Sequence, residues 1–241
     1  MIRVTLQCMR LPRNDVRQYE QLSEQWWRPG GAFEMLRWIA KARAELVPPA
    51  TRPGAVLVDL GCGGGLLAPY VTSLGYAHVG VDLVAVSLKL ARDHGVMPVR
   101  ADANAVPLAD GCADVVSAGE LLEHVVDPST VVTEACRLLR PGGLLVLDTV
   151  NATARARFIA VTVAERIPGL APKGIHDPSL FVPPELLVNA CAKAGVALTV
   201  RGLRPAVWSV LRWLFLRRGD GRMVATRSVA ALYQGWGIKE A

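Results

Sequence analysis

The segment Val56-Leu-Val-Asp-Leu-Gly-Cys-Gly-Gly-Gly-Leu66 constrains this chain more than any other. A continuous apolar run carries an acid near its end, turns through glycines, and leads into a helical pattern beginning near Leu67. Such a run, without alternation, suits a strand buried on both faces of a parallel sheet. Glycines after the strand let the backbone approach a ligand closely, and the next helix offers unpaired N–H groups. The spacing narrows the ligand. Gly61 and Gly63 fit the start of G-x-G-x-x-G, but the third glycine is Gly65 and position 66 is leucine, so the nicotinamide fingerprint fails. No Gly-Lys-Ser/Thr follows, so this is not a nucleoside-triphosphate loop.

From this loop onward strand and helix patterns alternate, which predicts a parallel sheet with helices on both faces. Strands are expected over 55–60, 78–82, 97–101, 113–117, 144–148, 196–201 and 229–236, the fifth entered through the tight turn Arg140-Pro-Gly-Gly143. Residues 14–47 read as helical, with Tyr19, Leu22, Trp26, Phe33, Leu36 and Ile39 at helical spacing and a break at Arg28-Pro-Gly-Gly31. The expected organisation is a helical cap over 1–50, a Rossmann-like ligand-binding core over 51–151, and lid segments with C-terminal strands over 152–241 that complete one domain. Inserts at 152–183 and 204–218 interrupt the alternation.

The net charge of +6 gives a basic surface, suited to an anionic partner or simply solvated. Five cysteines (Cys8, Cys62, Cys112, Cys136, Cys191) show no paired spacing and read as reduced thiols of a cytoplasmic protein. No segment reads as a secretory leader, and the apolar stretch 205–216 is broken by Arg212 and is shorter than a spanning helix needs. Nothing resembles a nucleic-acid methylation motif or a basic stripe interleaved with aromatics, so no nucleic-acid partner is expected.

The acids near the glycine loop define its ligand. Asp59 lies two residues before Gly61, and Asp82 ends the second strand, where an acid accepts hydrogen bonds from ribose hydroxyls. Asp102, past the third strand, is placed to accept from an adenine amine. A ligand with ribose, adenine and a cationic amino-acid tail, and no phosphate, matches; S-adenosylmethionine is such a ligand.

With Asp59-Leu-Gly-Cys-Gly-Gly-Gly65, Val81-Asp82, Glu120-Leu-Leu-Glu-His124 and Leu139-Arg-Pro-Gly-Gly143 in view, the chain resembles the class I S-adenosylmethionine-dependent methyltransferases. More narrowly it resembles the O-methyltransferases of ubiquinone biosynthesis, through Trp26-Trp27 with Gly31-Ala-Phe33, and Lys173-Gly-Ile-His-Asp177 leading to Pro184-Glu-Leu-Leu187. The resemblance implies a seven-stranded, mostly parallel sheet with its last strand antiparallel. It also implies methyl transfer to a hydroxyl of a polyprenylated dihydroxybenzene, with cofactor contacts on Arg43, Gly61, Asp82 and position 119. Two departures stand out. Gly119 replaces a frequent methionine, which predicts an adenine pocket that is roomier or filled from elsewhere, and Arg28 replaces an acid. The match fades from Arg201 on.

If residues 120–124 open a helix, Glu120, Glu123 and His124 share one face. Their position after the fourth strand puts them where donor and acceptor meet. The resemblance associates this set with a Mg2+-type ion. Alternatively His124 removes a phenolic proton itself, or the acids merely stabilise a helix start. His176, beside Asp177 in the insert, is a second catalytic candidate or a loop-stabilising group. Residues 204–218 place Trp208, Leu211, Trp213, Leu214, Phe215 and Leu216 among Arg204, Arg212, Arg217 and Arg218, which suits either peripheral contact with an anionic membrane or a core helix. Two rival functions stay open: O-methylation of a small secondary-metabolite phenol, and a non-catalytic S-adenosylmethionine-binding subunit.

Overall fold

The computed structural model describes residues 11–216 and 221–240. Cys8, Arg217 and Arg218 lie outside the described residues. The strands are β1 (Val56–Leu60), β2 (Ala77–Asp82), β3 (Met97–Arg100), β4 (Ala113–Gly119), β5 (Leu139–Val150), β6 (Thr199–Pro205), β7 (Met223–Thr226) and β8 (Leu232–Ile238). The α-helices are α1 (Arg17–Gln21), α2 (Glu34–Ala44), α3 (Ala68–Val71), α4 (Ala85–Asp93), α5 (Pro128–Leu138), α6 (Ala154–Arg157), α7 (Pro184–Lys193) and α8 (Val207–Leu216).

The strands form one sheet in the order β3-β2-β1-β4-β5-β8-β6-β7. β1 to β5 run parallel, and β8 inserts antiparallel between β5 and β6. The expected Rossmann-like architecture is present, with one difference. The sheet has eight strands, because Met223–Thr226 pairs antiparallel with the outer edge of β6. That short strand follows the insert and has too little alternation to be legible as a strand. β1 and β4 are almost wholly buried because helices cover both faces, as their unbroken apolar runs require. The Arg140-Pro-Gly-Gly143 turn is drawn into the start of β5, where the register with β4 jumps from Ala113–Leu139 to Val115–Leu144.

The main core lies between β1, β4, β5 and the face formed by α5 and α7, with Leu145, Leu147, Val116, Leu138 and Leu187 fully buried. Helix α5 starts at Pro128 because Asp127 caps it, its carboxylate accepting from the N–H groups of Ser129 and Thr130 at 3.0 and 3.1 Å. The cap segment 14–47 is broken as expected, into α1, a single 3-10 turn and α2. No helix among the described residues is long and apolar enough to cross a membrane.

Because Leu145 is fully buried at the centre of this core, Leu145→Ala should destabilise the fold by about 2–5 kcal/mol, read from urea unfolding.

Candidate active site

The carboxyl ends of β1, β2 and β4 open into a cavity of about 540 Å³, the size range of small-molecule sites. All seven residues expected to contact the cofactor line it: Arg43, Asp59, Gly61, Gly63, Asp82, Asp102 and Gly119. His124, His176 and Glu120 line it as well.

The glycine loop takes left-handed backbone at Gly61 (φ +66°), Gly63 (φ +50°) and Gly65 (φ +81°), so non-glycine residues there would be strained. At Gly63 space decides too, since a Cβ would stand 2.3 Å from the Trp26 ring. Trp26 therefore roofs the loop, stacked on Phe33 with centroids 4.1 Å apart. Trp27 clamps the loop from outside, donating from Nε1 to Gly64 O at 2.9 Å and stacking on His94 at 3.6 Å. The two tryptophans thus have separate tasks, and His94 has a structural one.

Asp82 joins this loop to the tip of β2. Its Oδ2 accepts from the Gly63 N–H at 2.9 Å and its Oδ1 from the Val84 N–H at 2.8 Å. Each oxygen keeps a lone pair for a ribose hydroxyl. Burial raises the Asp82 pKa, while those backbone donors pull it down. Asp102 is fixed at the exposed end of the cavity by Asn104, whose backbone N–H and side-chain amide donate to Oδ1 at 2.9 and 2.8 Å. Asp59 is buried, 3.7 Å from His78 Nε2.

Gly119 is not an empty corner. It pairs across the sheet with Asp148 of β5, and the Arg43 guanidinium from α2 fills the space above it. A Cβ at position 119 would fall 1.4 Å from Arg43 Nη1. That nitrogen donates to both Asp148 oxygens, at 2.7 and 2.8 Å. Burial acts on Arg43 to lower its pKa, but Asp148 and then Asp59 outweigh it and hold the guanidinium charged. The pocket is thus filled from elsewhere, and Asp148 is the partner that sequence reasoning missed; an acid ending the fifth strand was its only signal. Arg43 Nε and Glu120 Oε1 are buried without a partner among the described residues. A donor and an acceptor left over at one end of an acid-lined cavity fit the carboxylate and ammonium of an amino-acid tail.

The helical face expected to gather the metal candidates is corrected. The chain turns left-handed at Glu120 (φ +49°) and makes one 3-10 turn over Leu122–His124, so residues 120–124 are not the start of an α-helix and share no common face. Glu123 turns inward, where its Oε2 accepts from Thr149 Oγ1 at 2.7 Å. His124 turns toward the N-terminal segment, with Nδ1 2.6 Å from Asn14 Oδ1 and Nε2 3.3 Å from the Tyr19 hydroxyl. Among the described residues no group of three His, Cys, Asp or Glu is placed to hold a metal ion. Burial first, and then the carboxylates of Glu123 and Asp148, raise the pKa of Glu120. Burial also raises that of Glu123, against the pull of Thr149. His124 is pushed the other way, down to about 3, by burial and then by His176.

His176 and His124 stack with ring centroids 5.8 Å apart. The loop contact expected between His176 and Asp177 does not form. His176 Nδ1 lies 3.4 Å from Glu165 Oε1, while Asp177 accepts from Ser179 N and Oγ at 2.9 and 2.7 Å. Glu165 organises the lid: it accepts from Gly174 N–H at 2.9 Å and from Arg13 at 2.9–3.0 Å. Neither Glu165 nor Asn14 has a sequence signal: no periodicity links Glu165 to His176 within the insert, and Asn14 comes from a segment distant in the chain.

This arrangement, a phosphate-free nucleoside site at the carboxyl edge of a parallel sheet, defines the S-adenosylmethionine-dependent methyltransferase class. Residues 58–147 match the methyltransferase domain family model. The solved structure of an S-adenosylmethionine-dependent methyltransferase from Thermotoga maritima, described as a possible histamine N-methyltransferase, superposes with a TM-score of 0.64 at 18% identity, covering 93% of this chain and 97% of that one. The ubiquinone biosynthesis O-methyltransferase of Nitrosococcus oceani is 37% identical over 193 residues, 77% of this chain and 82% of the relative. That of Thiobacillus denitrificans is 35% identical over 76% of this chain and 82% of the relative. The chain belongs to the ubiquinone biosynthesis O-methyltransferase family.

Replacing Gly119 by methionine should drive Arg43 off Asp148 and leave a buried carboxylate unpaired. We expect about 3 kcal/mol lower stability together with weaker S-adenosylmethionine binding, read by denaturation and by titration calorimetry.

Proposed function

We propose that this enzyme transfers the methyl group of S-adenosylmethionine to a phenolic hydroxyl of a catechol-type quinone precursor with an apolar tail, and that His124 takes the phenolic proton. The observation that carries this reading is one cavity holding the acidic nucleoside end and, beside it, an imidazole kept neutral by burial. Kinship with the ubiquinone-biosynthesis O-methyltransferases supports the acceptor class.

When bound, S-adenosylmethionine supplies a methyl carbon on a sulfonium sulfur that leaves as a neutral thioether. Arg43 and Glu120 hold the amino-acid tail, Asp82 the ribose and Asp102 the adenine amine, so the methyl carbon is aimed from the glycine loop toward His124. Placement of this kind contributes several kcal/mol. His124 would accept the phenolic O–H proton as the oxygen takes the methyl carbon, the C–S bonding pair leaving with the neutral thioether. Positive charge would leave the sulfur as it arrives on the imidazole, so the net charge of the site would be unchanged. Glu120, Glu123 and His124 do not fit a Mg2+ site, and no step is routed through one. His176, oriented by Glu165, closes the acceptor end against water.

The apolar tail accounts for the far side of the site. The cavity wall continues past Ile159, Val163, Leu170 and Val210 toward the surface. There α8 buries Trp213 against Trp38 but exposes Trp208 (81%) and Phe215 (83%). Exposed aromatics near Arg204 and Arg212 support peripheral contact with an anionic bilayer.

Activity with a prenylated catechol well above that with a short phenol supports the quinone-precursor reading, and the reverse ranking favours a secondary-metabolite acceptor. His124→Ala should retain S-adenosylmethionine binding and lose about 10²–10⁴-fold in kcat, whereas unchanged turnover would remove His124 from the chemistry. Trp208→Ser with Phe215→Ser should abolish co-sedimentation with phosphatidylglycerol vesicles and leave turnover of a detergent-dispersed acceptor intact.

A further inference from the structure

Asn14 has left-handed backbone (φ +56°), which asparagine tolerates better than most residues. Its N–H donates to Gly174 O at 3.1 Å, and Gln18 Nε2 donates to the same carbonyl at 3.2 Å. These bonds pin residue 14 to the lid turn. From there both ends of the Asn14 amide meet His124. Nδ2 donates to the His124 backbone oxygen at 3.0 Å, and Oδ1 lies 2.6 Å from ring Nδ1.

This pair of contacts fixes a proton. The backbone oxygen only accepts, so the amide nitrogen must be the end that faces it; reversed, the amide would set oxygen against oxygen. Asn14 Oδ1 therefore faces Nδ1, and since it too only accepts, Nδ1 carries the hydrogen. A buried, neutral imidazole has one such hydrogen, which leaves Nε2 bare. The Tyr19 hydroxyl, 3.3 Å away, is the donor that Nε2 then requires. Tyr19 itself packs beside the stacked Trp26 and Phe33 rings, at 6.1 and 6.2 Å, and stands edge-on to the His124 ring, at 6.0 Å.

We propose that Asn14 is a positioning residue for methyl transfer: it locks His124 as the Nδ1–H tautomer, so that the Nε2 lone pair faces the cavity, where the Tyr19 hydroxyl holds it until a phenol replaces that hydroxyl. The proposal rests on the reading of His124 as the base. It makes the cap part of the catalytic machinery, because the base has the wrong tautomer without it. A bare Nε2 receives the phenolic proton directly, whereas the other tautomer would present a hydrogen to the acceptor oxygen and could not accept one there. The titratable groups around this pair are His176, backed by Glu165 from the lid, against the His124 ring, and Glu123, Asp82 and Glu120 around the Tyr19 hydroxyl.

The test reads the tautomer directly in full-length protein labelled with ¹⁵N-histidine and saturated with S-adenosylmethionine. The chain has four histidines, and His124→Ala identifies which ring signals belong to residue 124. Long-range ¹H–¹⁵N correlations should show Nδ1 protonated and Nε2 bare. Asn14→Leu should shift His124 to the Nε2–H form and lower kcat for a prenylated catechol by about 10²-fold, with cofactor affinity unchanged. Asn14→Asp gives up the donor to the His124 backbone oxygen, but keeps an acceptor against Nδ1 and adds a negative charge, which raises the His124 pKa. It should retain the Nδ1–H tautomer and recover much of the lost turnover at higher pH, with the acid limb of its kcat profile moved upward. An Nε2–H signal in the wild type, or Asn14→Leu with the wild-type tautomer or turnover, overturns the proposal. Wild-type turnover in His124→Ala instead overturns the base reading, and the tautomer spectrum, which needs no turnover, separates the two failures.

Discussion

The buried pair between Arg43 and Asp148 joins the parts of this enzyme that the chain supplies separately. Arg43 comes from the cap and Asp148 from the fifth strand, and the two meet above Gly119 of the fourth. Breaking such a pair costs several kcal/mol, because one charge is left buried alone. It therefore fixes the height of α2 over the sheet. That in turn sets Trp26 on the glycine loop and closes one wall of the cavity. A side chain at position 119 would leave no room for the guanidinium, so the glycine and the salt bridge are one design. Contact between a large side chain and the cofactor gives way here to a charged group.

A second constraint orders the other end of the site. Glu165 gathers the lid by accepting from Arg13, Gly174 and His176, and Asn14 links the same lid to His124. The cap and the lid are far apart in sequence, yet they share hydrogen bonds at the acceptor side of the cavity. The nucleoside side is built differently, from strand ends and a tight glycine loop with little freedom. A rigid donor site beside an acceptor site assembled from two excursions suits a reaction whose donor is constant and whose acceptor must be admitted and then shielded from water.

Several elements were legible because their cause is local. The unbroken apolar runs of β1 and β4 mark buried parallel strands, glycines with positive φ mark the loop, and Asp127 with Pro128 marks a helix start. That Asp59, Asp82 and Asp102 line the cavity followed from the rule that acids at strand ends face the crevice of a parallel sheet. What the residue pattern misjudged was the stretch after β4. Periodicity gave Glu120, Glu123 and His124 a common helical face, but a left-handed residue and a single 3-10 turn send the three side chains in different directions. Backbone hand at a non-glycine residue is decided by its surroundings, here the strand end and the Glu120 N–H bond to Asp148 O.

The sequence by itself determined the sheet, the glycine loop and the chemistry of the donor site, since each depends on residues close together in the chain or on the order of strands. Only the tertiary structure decided that Arg43 fills the place of a side chain at 119, that Glu165 and not Asp177 orients His176, and that Asn14 and Tyr19 take up the two nitrogens of His124. The contacts of Arg43, Asn14 and Tyr19 join residues more than a hundred positions apart, Glu165 reaches His176 across a turn of the same insert, and no local pattern encodes any of them. They arise because packing α2, α1 and the lid against one sheet edge leaves buried polar groups that must find partners, and the nearest ones lie on other segments.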